Sequence, residues 1–211
     1  MYVRTPTLTP LTIDKRFLFV VTGLVTTLLL TGIVPLVAGA QTADTTISSS
    51  IGSTISLLTS NGTVNIDATP TGTGVQTIAS DTVTVSTNDA GGYTLKLNEA
   101  GASSALTHNT DTIPAVSGSQ ASPAAETVNT WGYRVDGVGG FGAGPTSSGS
   151  NQAIGAVKFA AVPAAASPDT LKTTATTAAN DVTTVWYGVA VDTSTPSGTY
   201  TNDVTYTATA N

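Results

Sequence analysis

The chain has 211 residues, of which 9% are charged and 40% hydrophobic, with no cysteine and a net charge of −6. So few cations cannot form a basic stripe along phosphates, which argues against nucleic-acid binding. The missing cysteines exclude disulfides, thiol nucleophiles and thiolate metal sites.

The first segment reads as an export signal. Arg4, Lys15 and Arg16 precede an apolar run over residues 17–37, and Ala38-Gly39-Ala40 follows. A basic start, an apolar centre and a small-x-small end are the three parts of a secretory leader. The expected cut falls between Ala40 and Gln41. An uncleaved anchor is the alternative, because residues 17–37 are long enough to span about 30 Å of hydrocarbon; the membrane would then be met only through this run. A pilin-type leader, cut near Gly23, is a third reading, although no acid follows Gly23 in the run. The first two readings place the remainder outside the cytoplasm, since the positive flank stays inside. After residue 40, four bases remain against twelve acids, a net charge of −8 that anionic lipid would repel.

Residues 41–211 read as one domain. Abundant Thr and Val favour strands, because β-branched side chains fit a pleated surface and lose rotamer freedom in helices. Thr54–Leu58 and Thr63–Ile66 flank Asn61-Gly62, a two-residue hairpin signal. Thr82–Thr87 alternates with Val83 and Val85 on one face, and Tyr93–Leu97 alternates with Tyr93, Leu95 and Leu97. The Gly-rich turn between them predicts an antiparallel hairpin with one buried face.

Residues 100–127 read as a long connection or loop, with a helical turn as an alternative at Ala100–Leu106. Trp131, Tyr133 and Val135 share the inner side of a further strand. Residues 137–152 read as a Gly-rich loop, with Phe141 pinning it to the body, and Val157–Phe159 as a short strand. In the last fifth, Val185, Tyr187, Val189 and Val191 oppose Trp186 and its even-numbered neighbours. After a turn at Asp192–Gly198, Tyr200, Val204, Tyr206 and Ala208 form another apolar row. These last two strands are expected to pair centrally. Seven to nine strands without a long helix predict an all-β antiparallel sandwich of Greek-key or immunoglobulin-like type.

Thr84–Leu95, Asn129–Tyr133, Tyr187–Tyr200 and Val204–Ala208 together resemble a group of secreted β-sandwich surface proteins common in small-genome candidate-phylum bacteria. The element Pro196-Ser197-Gly198-Thr199-Tyr200 before the final strand is similar to one in fimbrial and other bacterial surface sandwiches. The resemblance covers most of residues 80–211 and implies export and a surface role. It supplies no catalytic residues.

The chemistry of the chain is sparse. His108 is the only histidine, and no G-x-S-x-G or S-x-x-K pattern accompanies the many hydroxyls. An enzyme is not expected, nor a cofactor. Loop aspartates such as Asp89, Asp136 and Asp192 could ring calcium, but Asp more commonly opens turns by bonding its own backbone. Among the aromatics, Trp186 lies opposite the apolar stripe and is the candidate for a sugar-stacking surface. Lys96, near Glu99 and Asn202, is a candidate for a Lys–Asn cross-link. The sequon Asn61-Gly62-Thr63 reads as turn chemistry. The expectation is an exported, non-catalytic structural or adhesive surface module that meets a cell-wall glycan or another surface protein. A carbohydrate-binding module and a pilus, fibre or surface-layer subunit built by strand addition are the alternatives.

Overall fold

The computed structural model describes residues 44–145, 147–155 and 157–211. The apolar run and the expected cleavage residues Ala38, Ala40 and Gln41 lie outside the described residues. Ser50–Asn211 forms one compact unit. It is all-β with antiparallel sheets, and no helix occurs among the described residues.

The larger sheet contains β1 (Ile55–Thr59), β2 (Val75–Thr87), β7 (Thr130–Arg134), β8 (Gly149–Gln152) and β11 (Ala178–Val191). Its order is β1-β2-β11-β7, with β8 beside the first half of β2. β2 and β11 pair almost end to end, from Thr87↔Ala178 to Val75↔Val191. The second sheet has the order β10 (Asp169–Thr173), β3 (Tyr93–Glu99), β12 (Val204–Ala210). Two small pairs complete the fold: β4 (Leu106–His108) with β5 (Asp111–Ile113), and β6 (Ala124–Ala125) with β9 (Lys158–Phe159).

One hydrophobic cluster draws on both sheets. Val83 and Val85 from β2 and Val185, Tyr187 and Val189 from β11 join Leu95 and Leu97 from β3. The alternation that predicted these inner rows holds: β3 reads buried at every odd residue from Tyr93 to Glu99. Each fully buried Val or Leu in this layer stabilises the fold by about 1.5–3 kcal/mol relative to exposure. Trp131, Tyr133, Val135 and Phe141 belong to the same cluster, so the Gly-rich loop is pinned as expected.

Pairing differs from the sequence reading at two places. β2 and β3 are consecutive but lie in different sheets, so residues 88–92 cross between sheets and do not close a hairpin. Likewise β11 and β12 belong to different sheets and do not pair. The physical reason is that an inner row points at the same core whether its sequence neighbour lies beside it or across from it. Gly92 adopts a φ of 81°, and a Cβ there would meet the Thr174 carbonyl at 2.5 Å. Only glycine fits this crossing.

Asn61-Gly62 also fails to make a hairpin. β1 pairs instead with the second half of β2, from Ile55↔Thr87 to Thr59↔Val83. The Asp81 carboxylate takes the Ser60 hydroxyl and the Asn61 amide, which redirects the chain here. The segment expected to be loop at 100–127 contains β4, β5 and β6, and 137–152 contains β8. The helical turn considered at Ala100–Leu106 is absent, since Leu106 opens β4.

Candidate functional site

The side chains with the richest chemistry lie between the sheets. The Tyr93 hydroxyl donates to Asp181 Oδ2 at 2.8 Å, and the Tyr133 hydroxyl to Asp169 Oδ2 at 2.5 Å. Tyr187 and Tyr206 share a hydrogen bond of 2.6 Å. Each pair joins one sheet to the other. Lys172 Nζ reaches the other oxygen of Asp181 at 2.6 Å. Burial raises Asp181, but the hydrogen bonds from Lys172 and Tyr93 outweigh it and hold the carboxyl below its ordinary value. Burial pushes the Tyr93, Tyr133, Tyr187 and Tyr206 phenols above theirs, with the neighbouring carboxylates adding for Tyr93 and Tyr133. These phenols are therefore neutral donors at physiological pH and serve as inter-sheet ties.

Arg134, 1% exposed, is the second polar centre. Its Nε donates to Asp136 Oδ1, its Nη1 to the Lys158 carbonyl, and its Nη2 to the carbonyls of Phe141 and Gly142. The guanidinium also lies 5.8 Å from the centre of the Phe141 ring. One side chain thus fastens the start of the Gly-rich loop to β7 and β9.

The third centre is a buried carboxyl on the outer side of the larger sheet. Glu126 is 3% exposed and accepts from the Gln76 side-chain amide through Oε2, while Oε1 has no partner. It rests over Gly188, where an added Cβ would meet Oε1 at 2.6 Å and the Phe159 ring at 2.7 Å. Burial raises this carboxyl to about 8, the bond from Gln76 opposing the rise. Glu99, also buried, is raised to about 7 for the same reason. Asn202 lies beside Glu99 but gives its amide to the carbonyls of Ser103 and Ala105.

Trp186, the expected stacking residue, is only 7% exposed and belongs to a second apolar cluster with Ile78, Val116 and Phe159. The outer face of β11 is covered by residues around 116 and 159, a second layer that alternation alone cannot announce. Trp186→Ala is therefore expected to cost about 3–5 kcal/mol in urea unfolding. A midpoint unchanged by this substitution would place the indole at the surface. Trp131, Tyr133 and Tyr187 are buried too, so none of these aromatics offers a face to a sugar.

Lys96 and Glu99 lie on opposite faces of β3, since inner and outer residues alternate along it. The suggested Lys–Asn cross-link has no geometry to support it. His108 Nδ1 faces the Thr199 carbonyl at 3.2 Å, and its ring lies 5.5 Å from that of Tyr200. It has a packing role at the β4–β5 hairpin rather than a carboxylate partner. Asp192 accepts from the Ser194 amide and hydroxyl and from Asn129, and Asp89 from the Gly91 amide. Both act as turn-formers. Among the described residues, no three His, Asp or Glu side chains come together in a way that could hold a metal ion.

A shallow groove lies where β1 and β11 begin and β2 ends, lined by Thr54, Ile55, Ser86, Thr87, Ala178 and Asn180. None of its lining residues titrates. No family model, no curated protein and no solved structure matches this chain. The polar centres missed by the sequence reading, Arg134 and Glu126, carry one signal each: a cation within an apolar strand, and an acid in a stretch otherwise poor in charge.

Proposed function

We propose that this chain is an exported, non-catalytic β-sandwich module with a structural or adhesive role at the cell surface. The observation that carries this reading is where its polar side chains go. The Tyr–Asp pairs tie one sheet to the other, and Arg134 fastens a loop to its strand. A rigid scaffold with small, uncharged Thr and Ser on its outer rows suits presentation of loops or edges to a partner. The hydrophobic cluster shared by the two sheets supports the sandwich. The Tyr200 hydroxyl, donating to the Pro196 carbonyl four residues upstream, resembles a tyrosine corner and supports the immunoglobulin-like form. The leader pattern of residues 1–40 supports export.

The test is fractionation of cells producing the native chain, with mass spectrometry of its N-terminus. The proposal expects surface or extracellular protein beginning at Gln41, or full-length protein held in the membrane by residues 17–37. Full-length protein in the cytoplasm would overturn it.

A further inference from the structure

The N-terminal part of the described chain has a strand pattern without a strand partner. Residues 44–54 belong to no strand. Their odd positions run Thr45, Ile47, Ser49, Ile51 and Ser53, and the row continues into β1 as Ile55 and Leu57. The even positions are Asp44, Thr46, Ser48, Ser50, Gly52 and Thr54. Both isoleucines thus fall on one face, among Thr and Ser, while the other face carries no large apolar side chain. Yet Ile47 is 92% exposed and Ile51 84%. Residues 52–54 are tied down by Asn88 and Asp89, through bonds to the Gly52 carbonyl, the Ser53 hydroxyl and the Thr54 amide.

The second sheet has an edge that fits such a segment. The Asp203 carbonyl and the Asn211 amide bond toward β3, so the odd residues of β12 turn their backbone groups that way. By strand alternation, the amides and carbonyls of Val204, Tyr206, Ala208 and Ala210 face the free edge. Those same residues are only half-buried, whereas their neighbours on β3 are fully buried. The larger sheet runs four strands deep, β1-β2-β11-β7, and the second only three. β1 comes close to β12 without pairing with it. The open side of the second sheet therefore lies beside β12.

We propose that residues 45–51 of one copy add to the free edge of β12 of a second copy, with Ile47 and Ile51 turned into the half-covered row of Val204, Tyr206 and Ala208. This deepens the structural-module reading and rests on it: the partner is the chain itself. The backbone bonds supply affinity and the two isoleucines supply register. Addition is head-to-tail, because the donating segment and the accepting edge are different surfaces. Repeated, it gives a ring or an open fibre.

The chain has no cysteine, so introduced thiols report without background. Full-length chains carrying Ser50→Cys are mixed, in mild detergent, with full-length chains carrying Thr205→Cys, Thr207→Cys or Thr209→Cys, and oxidised. These serine and threonine positions are exposed, so the substitutions leave the fold alone. The expected result is a disulfide-linked pair with at least one of the three. No such pair should form with Ser122→Cys, an exposed site beside the layer that covers the outer face of the larger sheet. Adding Ile47→Asp and Ile51→Asp to the donor should abolish the pair while leaving the unfolding midpoint unchanged. Cross-linking no greater than that of the Ser122 control, or undiminished by the aspartates, would overturn the inference. A chain that reaches the surface yet gives no specific pair would overturn this inference alone. A cytoplasmic chain that still gives it would overturn only the surface reading.

Discussion

Raising the pH from 5 to 9 is expected to lower the unfolding free energy, and Glu126→Gln is expected to remove most of that slope. The folded-state carboxyl of Glu126 is raised to about 8 from an ordinary 4.5, by burial against Phe159 and Gly188. Between those values the folded chain holds a proton that the unfolded chain has released. Stability therefore falls as pH rises. The contribution is fully present below about 4.5 and is lost as the pH passes through about 8. The loss is on the order of 4 kcal/mol, from about 1.4 kcal/mol for each pH step over which only the folded chain keeps the proton. Glu99, raised to about 7, adds a slope of the same sign that ends sooner. Glutamine keeps the shape of Glu126 and does not titrate, so the variant should match the parent near pH 5 and exceed it near pH 9. Urea unfolding at a series of pH values reads this directly. A parent profile that is flat, or a variant that keeps the full slope, would contradict the placement of this carboxyl.

Arg134→Lys is expected to destabilise the fold almost as much as Arg134→Ala, by about 3–5 kcal/mol. The guanidinium serves Asp136, Lys158, Phe141 and Gly142 at once from a fully buried position. An ammonium is a compact charge with tetrahedral donors and cannot span that set. Either variant leaves buried carbonyls unpaired and releases the Gly-rich loop. Limited proteolysis should then cut within residues 137–144 much faster in the variant than in the parent. A lysine variant within about 0.5 kcal/mol of the parent would show that the charge alone matters.

These two residues also mark what the sequence could and could not convey. Period-two alternation identifies the inner rows of β2, β3, β7, β11 and β12, because only one face of each strand turns into the layer between the sheets. It does not identify pairing. Val83 and Val85 face Leu95 and Leu97 across the core, and the same pattern would arise had they lain side by side. The Asn61-Gly62 signal is overridden by the buried Asp81 carboxylate, which bonds Ser60 and Asn61.

Trp186 shows a different limit. Alternation sets its row of β11 outward, which is correct for the first core. A second layer then covers it with Val116 and Phe159, from segments that read as loop and as a short strand. The glycines carry a clue to this layer, since a Cβ at Gly132 or Gly188 would collide with it. The tyrosine ties are invisible for a simpler reason. Tyr93 and Asp181 are 88 residues apart, and nothing local announces a hydrogen bond of that span.

Amide hydrogen exchange, followed residue by residue, tests the shared inner layer most directly. The slowest amides should lie in β2, β3 and β11, exchanging together only when the whole domain unfolds, while residues 44–51 of the free chain exchange at once. Rapid exchange throughout β3 and β12 while β2 and β11 stay protected would mean that the two sheets do not share a core.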